Sequence, residues 1–191
     1  MRIIDFFDKG VSLYPSNLAL VEPGSQYTYT EASQQSCRIA AAIRGHGYGK
    51  GSKIGILAPN SNIAFLTLLG VLRNESIWLP INPRNSVDAN IDLLDRFHGE
   101  VLFYHSYFEK EAQLIKQQVK GIKELVCLDS ASGKSESLDS WTNDFSDDFV
   151  MGDENPDDVF AIFPTGGTTG KSKGVMISHK NIETMYRNYW A

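Results

Sequence analysis

Cysteine is scarce in this 191-residue chain, with Cys37 and Cys127 the only two. They lie far apart and in no metal-type spacing, so neither a disulfide framework nor a zinc cage is encoded. Two buried thiols in a reduced, cytoplasmic protein are expected instead. Long apolar runs are also missing. No stretch approaches the roughly 20 residues that a bilayer span needs, and Met1-Arg2-Ile3-Ile4-Asp5-Phe6-Phe7-Asp8 meets acids too early for a secretory leader. Positive charge is not in surplus. Eighteen basic residues face 23 acidic ones, a formal charge of −5, which argues against nucleic acid or an anionic membrane as the main partner. Any anion site must therefore be local. His46, His98, His105 and His179 form no ligand cluster and read as surface or capping residues, with His179 placed to orient the helix that follows it. Asn74-Glu75-Ser76 spells a glycosylation sequon that a cytoplasmic setting makes incidental.

What is present is apolar sequence enough for a core, 42% of the chain, arranged in two periods. Residues 3–13 have helical spacing and end before Pro15. Segments 18–22 and 26–30 read as a hairpin turned at Pro23-Gly24-Ser25, and Thr30 is placed to cap a helix running to Gly45. Strand and helix then alternate. Strands are expected at 53–58, 76–81, 101–104 and 124–128, and helices at 64–72, 87–97 and 107–119, with Asn60 or Ser61 and then Ser86 as caps. Several of these strands are apolar throughout, as in a mostly parallel sheet covered on both faces. The fold class expected is therefore a three-layer α/β/α domain. Trp78 falls in a strand and reads as core or interface filler. The segment 130–156 breaks the rhythm with a Ser-rich start and acids at Asp144, Asp147, Asp148 and Asp153, and reads as a mobile connector whose acids point outward.

The chemistry is concentrated in Phe163-Pro164-Thr165-Gly166-Gly167-Thr168-Thr169-Gly170-Lys171-Ser172-Lys173-Gly174-Val175. Strand-like segments flank it at 158–163 and 175–177. Glycines let backbone N–H groups converge, threonine hydroxyls add donors, and lysine adds a compact positive charge, the components of a phosphate cradle. Each hydrogen bond to a charged oxygen contributes roughly 1.5–3 kcal/mol, so a few convergent donors suffice. Gly170-Lys171-Ser172 matches the end of a Walker A loop. The leading glycine of that motif is replaced by Thr165, however, and the helix that should start at its lysine is replaced by Gly174 and an apolar strand.

Thr165-Gly166-Gly167-Thr168-Thr169-Gly170-x-x-Lys173-Gly174, followed by Ile177-Ser178-His179-x-Asn181, resembles the phosphate-loop signature of the adenylate-forming (AMP-binding) superfamily, acyl-CoA synthetases and fatty-acid–CoA ligases especially. Tyr27-Thr28-Tyr29-Thr30-Glu31, Leu57-Ala58-Pro59-Asn60 and Pro80-Ile81-Asn82-Pro83-Arg84 stand in the family's usual order, so the likeness covers nearly the whole chain. Asn82 before Pro83 is closer to acyl-CoA synthetases than to peptide-synthetase adenylation domains. Gly166 stands where serine is frequent, and Ser172 where proline is usual. The first removes a hydroxyl, and the second leaves the turn with a free φ.

The resemblance implies that the chain belongs to the large N-terminal domain of an adenylate-forming enzyme. In such enzymes a small-molecule carboxylate attacks the α-phosphate of ATP, pyrophosphate leaves, and the acyl group passes to a thiol such as coenzyme A. It also implies a site of Thr165, Gly166, Gly167, Thr168, Thr169, Gly170 and Lys173 around the β- and γ-phosphates. Lys173 would act catalytically by neutralising the leaving group, and Mg²⁺ would accompany the nucleotide. Family members are much longer, so an N-terminal fragment, inactive alone and prone to self-association through an exposed sheet face, is expected. The organisation expected is an α/β subdomain over 1–129, an acidic connector over 130–158, and a strand–loop–strand–helix segment over 159–191. Two alternatives remain open on the residues alone, a P-loop NTPase and a non-catalytic α/β binding module. Strands on both sides of Gly170 would eliminate the first.

Overall fold

The computed structural model describes residues 1–129, 135–153, 155–165 and 173–189. The chain opens with helix α1 (Ile3–Leu13), whose first turn is closed by Asp5 accepting from the Arg2 N–H at 2.6 Å. Strands β1 (Leu18–Glu22) and β2 (Ser25–Thr28) form the expected antiparallel hairpin. Helix α2 (Tyr29–Gly45) starts two residues earlier than expected, because Thr28 and not Thr30 is its cap. Glu31 lies three positions after Thr28, so the two side chains satisfy each other's backbone N–H in a capping box. Thr30 instead donates its hydroxyl to Pro15 O.

The alternating region follows as β3 (Lys53–Leu57), α3 (Asn62–Arg73), β4 (Ile77–Pro80), α4 (Val87–Arg96), β5 (Val101–Tyr104), α5 (Glu109–Gln118) and β6 (Glu124–Cys127). Ser61 and Ser86 cap α3 and α4. Where one helix was expected over 107–119, a 3-10 turn at Ser106–Phe108 precedes α5, and Asp129 holds that turn by accepting from the Ser106 N–H and Oγ at 2.7 Å. The segment read as a mobile connector carries β7 (Glu136–Ser137) and α6 (Leu138–Thr142), with Leu138 and Trp141 buried. Trp141 stacks on His46 at 4.3 Å, and burial of its indole overrides the polar composition around it. The chain ends in β8 (Val159–Pro164), β9 (Gly174–Ser178) and α7 (His179–Tyr189).

Among the described residues the main sheet has the order β7-β6-β5-β3-β4-β8-β9, parallel except for β9, which runs antiparallel to β8. It is the three-layer α/β/α architecture expected. Ile54, Ile56, Val101, Phe103 and Val126 pack on one face with α2, α3 and Trp141. Leu57, Leu79, Leu102, Tyr104 and Ile162 pack on the other with α4 and α5. The α2–α3 crossing is close enough to need Gly70, where a Cβ would sit 2.5 Å from Ile39 Cγ2. Neither thiol joins the chemistry. Cys127 is buried, Cys37 is half-buried, and burial pushes the Cys37 thiol upward, away from a reactive thiolate. Asn74 is fully buried and donates to Tyr48 O and Ser76 Oγ, so the sequon cannot receive a glycan.

Candidate functional site

The Gly- and Thr-rich segment singled out from the sequence connects two antiparallel strands. β8 and β9 pair from Val159↔Ser178 to Pro164↔Gly174, and the ladder continues one step further as the Thr165 N–H donates to Lys173 O at 2.8 Å. The Thr165 hydroxyl donates to the same carbonyl at 3.2 Å. Thr165 and Lys173 thus stand face to face at the neck of a hairpin. A Walker A loop leads from a strand into a helix, so this geometry removes the P-loop NTPase alternative. Of the other residues singled out from the sequence, Gly166, Gly167, Thr168, Thr169 and Gly170 lie outside the described residues.

The neck is placed by the parallel sheet. β3, β4, β5, β6 and β8 run the same way, so their carboxyl ends lie along one edge of the sheet. Asp157 and Asp158 directly precede β8 and so lie at its other end. Six residues at about 3.3 Å each put roughly 20 Å between them and the loop, more than two Debye lengths. Asp144, Asp148, Asp153 and Asp157 are exposed, and Asp158 pairs with Lys50. The outward orientation expected for these acids is what most of them show.

A cleft that the sequence did not reveal adjoins the neck. The loop after β3 leads to α3 on one face, whereas the loop after the neighbouring β4 leads to α4 on the other, so a crevice opens between their carboxyl ends. This is the topological switch point where open α/β sheets bind ligands. The crevice holds about 630 Å³ and is walled by Ile56, Phe65, Leu68 and Trp78, with Asn60, Asn82 and Arg84 at its polar side. Trp78 joins cleft to hairpin, its ring meeting Phe163 of β8 edge-on at 5.6 Å. Trp78 is therefore more than core filler. Its Nε1 is buried and has no hydrogen-bond partner among the described residues. The segments Leu57–Asn60 and Pro80–Arg84 stood out in the sequence by resemblance alone. Reading them as the loops after two adjacent strands that exit to opposite faces would have located the cleft.

His179, read as a surface or capping residue, is buried. Ile3 N–H donates to its Nδ1 at 3.2 Å, its backbone N–H donates to Asp158 O, and its ring lies 5.3 Å from that of Phe160, tilted by 24°. Burial pushes its imidazole down. Asp158 and Asp5 oppose that shift, while Arg2 and the amino terminus reinforce it. The helix cap is Ser178, which exchanges hydrogen bonds with Asn181.

Comparison with known proteins agrees with this architecture. The solved anthranilate CoA ligase AuaEII, in complex with anthranoyl-AMP, superposes with a TM-score of 0.91 at 19% identity, over 98% of this chain and 36% of that one. The N-terminal domain of FACL13 from Mycobacterium tuberculosis gives 0.85 at 23% identity, over 96% of this chain and 46% of that one. By sequence, the beauvericin nonribosomal cyclodepsipeptide synthetase BEA1 of Gibberella fujikuroi is 28% identical over 183 residues, which are 94% of this chain and 6% of the synthetase. A 3-oxocholest-4-en-26-oate–CoA ligase of Rhodococcus rhodochrous is 24% identical over 95% of this chain and 34% of the ligase. The chain therefore spans about a third or less of the curated relatives it matches. The AMP-binding enzyme family model matches residues 7–191, nearly the whole chain, and this protein belongs to that family.

Proposed function

We propose that this chain supplies the pyrophosphate grip of an acid–thiol ligase, which activates a small-molecule carboxylate as an acyl-adenylate and hands the acyl group to a thiol. The observation that carries this reading is the antiparallel hairpin whose neck is Thr165 and Lys173, opening at the carboxyl edge of a parallel sheet beside a largely apolar cleft. Thr165 spends its N–H and hydroxyl on Lys173 O. Its part is to hold the neck closed, which leaves the ammonium of the exposed Lys173 turned to solvent at the loop's base. That ammonium offers three donors and a full charge to a phosphate oxygen. The N–H groups of Gly166, Gly167 and Gly170 and the hydroxyls of Thr168 and Thr169 would complete the grip.

Charge on the β-phosphate grows as the bond to the α-phosphate breaks, so a fixed cation at this point favours the transition state over bound ATP. Mg²⁺, if it accompanies the nucleotide, would neutralise part of the same charge. The acceptor we favour is coenzyme A, on the strength of Asn82 before Pro83 and of CoA ligases among the solved relatives. The synthetases among the sequence relatives make a carrier-bound thiol the alternative. In an adenylating ligase that contains this chain, Lys173→Ala should reduce carboxylate-dependent ATP–pyrophosphate exchange by roughly 100-fold, the scale of losing one preorganised oxyanion donor. Exchange at the wild-type rate would refute the assignment. Adding free coenzyme A and following thioester formation then separates the two acceptors.

A further inference from the structure

β9, the strand that directly follows Lys173, is weakly tethered. It pairs with β8 on one side only, its outer edge lies against no other strand among the described residues, and Gly174, Val175 and Met176 are exposed. Strands held this way are prone to slip. A shift of one residue would turn every side chain of β9 to the opposite face and move Lys173 by about 3.4 Å. Something must hold the register, and the described contacts place that device at the end of β9 away from the loop.

There, Val159 pairs with Ser178 and Ala161 with Ile177, so Phe160 is the extra residue of a β-bulge. A bulge pins register only if its extra residue has a fixed place to go. Phe160 is 4% exposed and lies against the ring of His179, the residue that directly follows β9. His179 is fixed in turn at two further points, its backbone by its own amide N–H on Asp158 O and its ring by the Ile3 N–H on Nδ1. α1 through Ile3 and β8 through Phe160 therefore meet on the imidazole that begins α7.

We propose that His179 is a positioning residue that locks the β8–β9 register through Phe160 and the Ile3 N–H, and thereby fixes where Lys173 stands at the loop. Its consequence for ligand binding rests on the phosphate reading above, whereas the register lock does not. The lock requires a neutral ring, because an imidazolium carries a proton on Nδ1 and cannot accept from Ile3. The charged groups facing the ring are Asp158 from the start of β8, and Arg2, Asp5 and the amino terminus from the side of α1. Burial holds the folded-state pKa below the ordinary histidine value of 6.5. The stabilisation is therefore complete above that value and is lost as pH falls through the folded pKa.

The test is amide hydrogen exchange on the 191-residue chain, read as protection factors strand by strand. His179→Phe keeps a ring against Phe160 but removes the acceptor, and His179→Asn restores an acceptor oxygen where Nδ1 lay. Ile3→Pro removes the donor at a first-turn helix position that tolerates proline. At about pH 7.5, a unit above the ordinary histidine pKa, His179→Phe should lower β9 protection roughly tenfold, the loss of one hydrogen bond, while β3, β4 and β5 hold. His179→Asn should recover most of it. Ile3→Pro should match the Phe variant and add nothing to it, and β9 protection should decline as pH falls below 6.5 in the wild type but not in the Phe variant. Unchanged β9 protection in His179→Phe, or an equal loss across the whole sheet, overturns the proposal. Magnesium pyrophosphate is the separate probe. If the wild type fails to bind it while β9 responds as described, the register lock stands and the phosphate reading falls.

Discussion

Gly174 is the first residue of β9, and its lack of a side chain is steric rather than conformational. A Cβ there would lie 2.5 Å from Phe97 Cζ and 2.7 Å from Ile162 Cγ2. The ring of Phe97 thus occupies the space beside the neck, directly after Lys173. Gly174→Ala should overpack this contact and cost about 1–3 kcal/mol in denaturant unfolding. Phe97→Ala in the same chain should return part of that loss, because it removes the ring-tip clash and leaves the one with Ile162. A double-mutant cycle showing strict additivity would mean that the two residues do not meet.

At the scale of elements, the connector is where polar composition and packing part company. Helix α6 has five residues and is too short to hold itself together. It is held by Trp141, which is 3% exposed, stacks on His46, meets Phe103 edge-on at 5.4 Å, and donates its Nε1–H to Glu124 at 3.0 Å. Trp141→Ala should therefore cost about 3–5 kcal/mol and raise proteolytic cleavage within 135–145. Cleavage at the wild-type rate would show that the segment does not depend on its anchor. One tryptophan among serines and acids carries no period, which is why the sequence hid this helix. Its neighbours were legible for the opposite reason. β3, β5 and β6 are apolar runs bounded by turn residues, and Ser61 and Ser86 stand before apolar helices, so period and cap agree. At α2 two threonines compete for one cap, and the glutamate three positions after Thr28 decides between them. The β8–β9 hairpin was legible because two apolar runs flank one contiguous Gly-, Thr- and Lys-rich stretch. The cleft beside it was not, because Ile56, Phe65, Trp78 and Asn82 come together only once β3 and β4 pair and their following loops leave to opposite faces.

Across the whole molecule the sheet is covered unevenly. From β3 to β6 both faces are sealed by helices, whereas β9 leaves its outer edge and much of its side-chain surface to solvent, with Val175 43% and Met176 67% exposed. The strand Gly174–Ser178 holds no charged residue and no proline, two of the usual devices that discourage edge pairing. Phe163 from β8 and Met185 and Tyr189 from α7 are exposed as well. An antiparallel ladder between two copies of β9 would satisfy the free backbone groups of both edges, so a second copy is the occupant expected for the isolated chain. Light scattering should show a concentration-dependent dimer, and Met176→Lys should shift it towards monomer by placing like charges across the paired edge. The substitution leaves Lys173 and the neck untouched, so magnesium pyrophosphate binding should survive it. A monomer at all concentrations would mean that the exposed edge is too short or too twisted to pair, and a dimer indifferent to Met176→Lys would place the contact on another surface.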